Sequence, residues 1–115
     1  MSTADAQTHA PYTVQQVHLV VKGEDIQVRE FTVAPDENIP WHYHTAVTDW
    51  CYCLEGTVSA ETRNPETAGI SVQYLKTGES CRIDAGVIHR LANGGTGVCR
   101  YLLVQAGGRY DFNKV

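Results

Sequence analysis

Short apolar-rich segments separated by turn residues run the length of the chain. Val14 to Val21 is valine-rich, and Ile26 to Val33 alternates apolar and polar positions over most of its length. Trp50 to Leu54, Thr57 to Thr62, Ile70 to Leu75 and Val98 to Gln105 carry β-branched and aromatic residues, which suit strands. Gly, Pro and Asn punctuate these segments, as at Lys22-Gly23, Ala34-Pro35-Asp36, Leu54-Glu55-Gly56, Asn64-Pro65, Asp84-Ala85-Gly86, Asn93-Gly94-Gly95 and Ala106-Gly107-Gly108. A turn signal roughly every ten residues predicts an all-β sandwich or barrel. No stretch shows a helical period with caps, so at most one short helical turn is expected, near either terminus. From Val98 to Gln105 both faces are apolar: Val98, Leu102 and Val104 on one, Cys99, Tyr101 and Leu103 on the other. Such a strand needs cover on both sides. The outer face is then covered by the N-terminal arm or by a second copy, and a homodimer is expected.

The 115 residues make one domain. Residues 1–11 are polar and read as a loose arm, and residues 12–115 as a single barrel. The arm has no basic region and no apolar run, so no secretory signal is expected. No apolar stretch approaches the roughly 20 residues that cross a bilayer as a helix. The net charge of −4 argues against nucleic-acid and anionic-membrane partners, since both call for a basic patch. The expected partner is a small molecule. Without a signal, the expected compartment is the cytoplasm, with Cys51, Cys53, Cys81 and Cys99 reduced. Their spacing matches no zinc ribbon.

Three of the five histidines fall in two clusters. His42 and His44 alternate with other residues, so on a strand they share a face and can grip one ion. Asp49 follows a short turn and opens the next strand, where a carboxylate can come back beside them. His89 arrives from a distant strand, after Gly86 has let the backbone bend. Three imidazoles and one carboxylate suit Fe(II), Mn(II), Ni(II), Cu(II) or Zn(II) and differ from a hard Ca(II) or Mg(II) cage. A centre of that composition carries one net positive charge and attracts an anionic or enolisable ligand.

These residues resemble the two motifs of a small single-domain cupin. The first motif has the form G-x5-H-x-H-x3,4-E-x6-G, and the chain matches it at His42, His44 and Gly56, with Asp36 in place of the first Gly and Asp49 in place of Glu. The second has the form G-x5-P-x-G-x2-H-x3-N; Gly78, Gly86, His89 and Asn93 match, and Asp84 replaces Pro. The resemblance implies a double-stranded β-helix (a jelly-roll barrel), a divalent transition metal such as iron, manganese, nickel or zinc at its mouth, and frequent dimerisation. It implies no single reaction: similar cupins include dioxygenases, isomerases and lyases as well as binding modules. The expected function is a metal-binding cupin that acts as a small-molecule enzyme, of the dioxygenase or the isomerase or lyase type. The alternative is a non-catalytic module that binds or senses a small ligand.

Asp is shorter than Glu by about 1.5 Å. Asp49 is thus either a fourth ligand or a base beside a three-histidine centre. Cys51 and Cys53 share the parity of Asp49 and are expected to face the interior. There they make a redox-sensitive or metal-tuning pocket lining, or act as small packing residues. Trp41, Tyr43 and Trp50 are out of phase with the ligands and should face outward. Arg29 is a candidate to enter the barrel and bind a substrate carboxylate. Arg90 is expected in a surface salt bridge, and Asn93 is expected to close the turn into Gly94-Gly95.

Overall fold

The computed structural model describes residues 12–115, so the N-terminal arm lies outside the described residues. Ten strands follow in order: β1 Gln16–Lys22, β2 Ile26–Val33, β3 Asn38–Tyr43, β4 Thr48–Glu55, β5 Thr57–Arg63, β6 Ile70–Lys76, β7 Ser80–Ile83, β8 His89–Asn93, β9 Cys99–Ala106 and β10 Asn113–Lys114. No helix occurs among the described residues, not even the short turn allowed for near a terminus. One sheet has the order β1-β2-β9-β4-β7 and the other β10-β3-β8-β5-β6. All pairings are antiparallel. The two sheets face each other as a jelly-roll barrel.

The alternation seen in the sequence sets which side chains go inside. Along β9, Cys99, Tyr101, Leu103 and Gln105 are buried, while Arg100, Leu102, Val104 and Ala106 are half-buried on the outer face. Phe31 from β2 stacks on Tyr101 at 5.1 Å with planes 7° apart. Leu91, Leu75, Val58 and Ile83 close the core from the other strands. Cys51 and Cys53 belong to this core, as their parity predicts.

Two local devices aim the chain at the site. Gly56 joins β4 to β5 with φ +76°, and a Cβ there would stand 2.8 Å from the Val98 carbonyl oxygen, so the tight crossing between sheets requires glycine. Pro40 sits inside β3 without an N–H, and the β3–β8 register shifts between Ile39 and His42. The irregularity leaves the Pro40 carbonyl free to turn toward the His42 ring.

Candidate metal centre

His42 lies near the end of β3, His44 just beyond it, and His89 opens β8; His42 and His89 are register partners. The amide of Gly86 donates to the His44 carbonyl at 2.8 Å and holds the loop before His89 against the first pair. Gly86 has φ +85°, a backbone state that glycine adopts without penalty. Asp49 comes from the opposite sheet, where it pairs with Gln105 on β9 and Ile83 on β7. The barrel thus brings two histidines, a third from a distant strand and one carboxylate to the same end. All four are buried, none more than 3% exposed.

The donor atoms converge. One ring nitrogen from each of His42, His44 and His89 lies within 4.8 Å of the others. Asp49 Oδ2 stands 3.4 Å from His44 Nε2 and 3.2 Å from His89 Nε2. Two donors bonded at about 2.1 Å to one ion stand roughly 3.0–3.4 Å apart, for angles between octahedral and tetrahedral. The Asp49 spacings fall in that window, so the shorter side chain reaches the cluster.

Each imidazole is oriented by a backbone carbonyl. His42 Nδ1 donates to Pro40 O at 2.6 Å, His44 Nδ1 to Asp111 O at 2.6 Å, and His89 Nδ1 to Val87 O at 2.9 Å. A carbonyl only accepts, so the proton is on Nδ1 in all three rings and the Nε2 lone pairs face the cluster. His89 Nε2 and Asp49 Oδ2 are buried without a well-aligned hydrogen-bond partner. Buried polar atoms are rarely left so. The donor set and these orphaned atoms fit a divalent transition ion.

The charge balance agrees. Burial, and then the neighbouring His89, push the His42 pKa down to about 3, so His42 is neutral at ordinary pH. Burial also works against a charged His44, but the hydrogen bond and charge of Asp49 more than offset it and raise its pKa. Burial raises the Asp49 pKa, and His44 and His89 overcome that and hold the carboxyl well below the usual carboxylate range.

A second tier of residues escaped the sequence reading. Gln105 Nε2 donates to Asp49 Oδ1 at 3.0 Å and lies 3.3 Å from His44 Nε2. Its Oε1 accepts from Arg29 Nη2 at 2.6 Å and from Gln27 Nε2 at 3.0 Å, which fixes the amide orientation. Gln105 continues the inward parity of Tyr101 and Leu103, and a polar residue at such a position was the available signal. Residues 107–112 cross the barrel mouth: Phe112 stacks on His42 at 4.3 Å and 13°, and Tyr110 lies 5.4 Å from His44. Two glycines and alternating aromatics there give no local sign of which ring they meet.

The cavity against the histidines measures only about 10 Å³. Tyr12, Arg29, Leu103, Gln105, Tyr110 and Phe112 are among its walls. Cys51 and Cys53, expected as pocket lining, are not among them; they pack in the core one and two inward steps below Asp49. Trp41 lies on the outside under the guanidinium groups of Arg63 and Arg90, and Tyr43 is exposed. Arg90 pairs with Glu61 at 2.8 Å, and the Asn93 Oδ1 accepts from the Gly95 amide at 2.8 Å.

Comparison with known proteins agrees with this architecture. The model of the cupin domain family matches residues 29–105. The chain is a cupin. This cupin also matches solved structures in fold. An uncharacterised conserved protein with a double-stranded β-helix domain from Klebsiella pneumoniae is 20% identical, with a TM-score of 0.72 over 94% of this chain and 88% of that one. A protein from Thermus thermophilus is 21% identical, with a TM-score of 0.72 over 85% of this chain and 90% of that one. An oxalate oxidase is 16% identical with a TM-score of 0.72; the match covers 79% of the cupin and 46% of the oxidase, so it spans about half of that protein. At these identities the likeness is one of fold. No curated protein matches the chain in sequence.

Proposed function

We propose that this cupin is a metal-dependent enzyme acting on a small molecule, with a divalent transition ion held by His42, His44 and His89 and by Asp49 as an oxygen donor. The observation that carries the reading is the common orientation of the three rings, each Nδ1 tied to a backbone carbonyl and each Nε2 turned to one centre beside a carboxylate. A bound ion supplies Lewis-acid polarisation of a substrate carbonyl or enol, or O₂ chemistry if it is iron. The chain's own residues do the rest. Gln105 holds Asp49 Oδ1, so that Oδ2 alone faces the histidines. Phe112, Tyr110 and Tyr12 line the cavity and narrow it. Iron directs the site to dioxygenase-type reactions, and zinc, nickel or manganese to isomerase or lyase reactions.

The test is metal content by plasma mass spectrometry on untagged protein purified without chelator or nickel resin. Near-stoichiometric ion supports the reading. A protein that stays empty after incubation with each of iron, manganese, nickel and zinc overturns it.

A non-catalytic binding module is the second reading, and it shares the same site, whose cavity of about 10 Å³ must open for either kind of small molecule. Affinity for a ligand without turnover under any of the four metals would decide for it. The same proposal takes the protein as cytoplasmic, which its four free thiols suit. It also takes it as a homodimer, pairing through the outer face where Tyr52 and Leu54 are exposed beside half-buried Leu102 and Val104. Light scattering on Leu102→Glu protein, set against the unaltered chain, tests the pairing.

A further inference from the structure

Arg29 is a half-buried cation with no carboxylate partner among the described residues. It lines the histidine cavity, its Nη2 donates to the neutral Gln105, and its Nε is buried with no partner. Its guanidinium lies 5.1 Å from the Phe31 ring centre and 5.2 Å from that of Tyr110. No carboxylate pairs with it among the described residues, whereas Arg82, Arg90 and Arg100 all have acidic partners. A positive group partly withdrawn from water favours an anion in the space it faces. With a divalent ion present, the charge there is two units positive once Asp49 is counted.

The cavity is too small for such an anion to be more than a fragment, but it has a neighbour. A second cavity of about 230 Å³ lies on the other side of Gln105 and Tyr110, both of which line the two spaces. Lys22 and Arg109 stand in its wall against a single carboxylate, Glu24. Neither cation makes an ion pair among the described residues. Of the two partition residues, Gln105 is tied by four polar contacts. Tyr110 is partly exposed, has no hydrogen bond among the described residues, and follows Gly107 at φ +110° and Gly108. Its ring is thus the piece of the partition that is least held.

We infer that the two cavities form one binding site for an elongated dicarboxylate, with one carboxylate at Arg29 beside the metal centre and the other at Lys22 and Arg109, and with Tyr110 as the movable partition. The inference rests on the proposed metal function for its inner end, while the outer end stands on residues of its own.

Isothermal titration calorimetry of zinc-incubated protein with acetate, malonate, succinate and glutarate tests it, with zinc content measured on the same sample. At least one dicarboxylate should bind ten-fold or more tighter than acetate. The Lys22→Gln, Arg109→Gln double variant, altered only at positions outside the metal centre, should lose that advantage and keep both its acetate affinity and its zinc. Equal affinity for acetate and every dicarboxylate overturns the inference, and so does an advantage that survives in the double variant. If the protein takes up no zinc, the metal reading fails by itself. The same titrations then judge the outer end, because all three cations remain and a dicarboxylate preference abolished in the double variant is still expected.

Discussion

Replacing Gln105 by leucine removes the donor to Asp49 Oδ1 and the acceptor for Arg29 and Gln27 while keeping most of the volume. An outer partner of a metal ligand typically contributes 10–100-fold in affinity, and Gln105→Leu should weaken zinc or iron binding by about that much. Leaving Asp49 and Arg29 short of partners should also cost about 1–3 kcal/mol of stability, read by urea unfolding of the metal-free protein. His44→Ala should abolish ion binding with the fold intact by circular dichroism, because the lost ring stands at the mouth and not in the apolar core. His42, His44, Asp49 and His89 were legible from parity and motif spacing. The partner that Gln105 meets was not, because it depends on how β9 aligns with β4, and no local pattern encodes that register.

At the level of elements, the C-terminal segment is the piece that function and stability share. Asp111 anchors it: Oδ1 accepts from the Thr45 amide at 2.8 Å, Oδ2 accepts from the Thr45 hydroxyl at 2.6 Å, and its backbone carbonyl orients His44. Asp111→Ala should therefore lower metal affinity several-fold, measured by competition with a chelator, with a change in thermal midpoint of only a few degrees. Gly56→Ala acts on the other kind of element. Its φ of +76° and the 2.8 Å approach to Val98 O predict a loss of about 1–3 kcal/mol with the metal site unchanged in affinity. The long strands were readable from β-branched and aromatic runs. Strands β3, β7, β8 and β10 were harder: β3 contains Pro40, β7 is four residues long, β8 five and β10 two. Neighbouring strands in the sheet hold these pieces, and their own propensity contributes little.

For the whole molecule, the buried charges set how stability responds to pH. His44 has a raised pKa in the folded metal-free state, so its stabilising contribution is complete below the ordinary value of 6.5 and is lost as pH rises through the folded value. His42, at about 3 when folded, works in the other direction. Below pH 6.5 the unfolded chain takes up a proton that the folded one refuses, and stability falls. Asp49 adds to the acid loss as pH falls through its depressed value. The metal-free protein should be most stable near pH 6.5, the ordinary histidine value from which both rings are shifted. An ion competes with protons for the same nitrogens, so its stabilisation grows as pH rises. Thermal midpoints measured from about pH 5 to 9 should peak at higher pH with the ion than with chelator, and coincident curves would contradict the assignment.

The site joins parts of the chain that are far apart in sequence: Asp49 meets Gln105 across 56 positions, and His44 meets Asp111 across 67. Contacts of that span close late in folding, because the entropy of the intervening chain must be given up first. The cluster is therefore expected to be unformed in the folding transition state, which leaves an ion nothing to hold until the barrel is shut. Metal should leave the refolding rate of this cupin unchanged and slow its unfolding. In kinetic terms a bound ion would be a latch on a finished barrel and no help in building it.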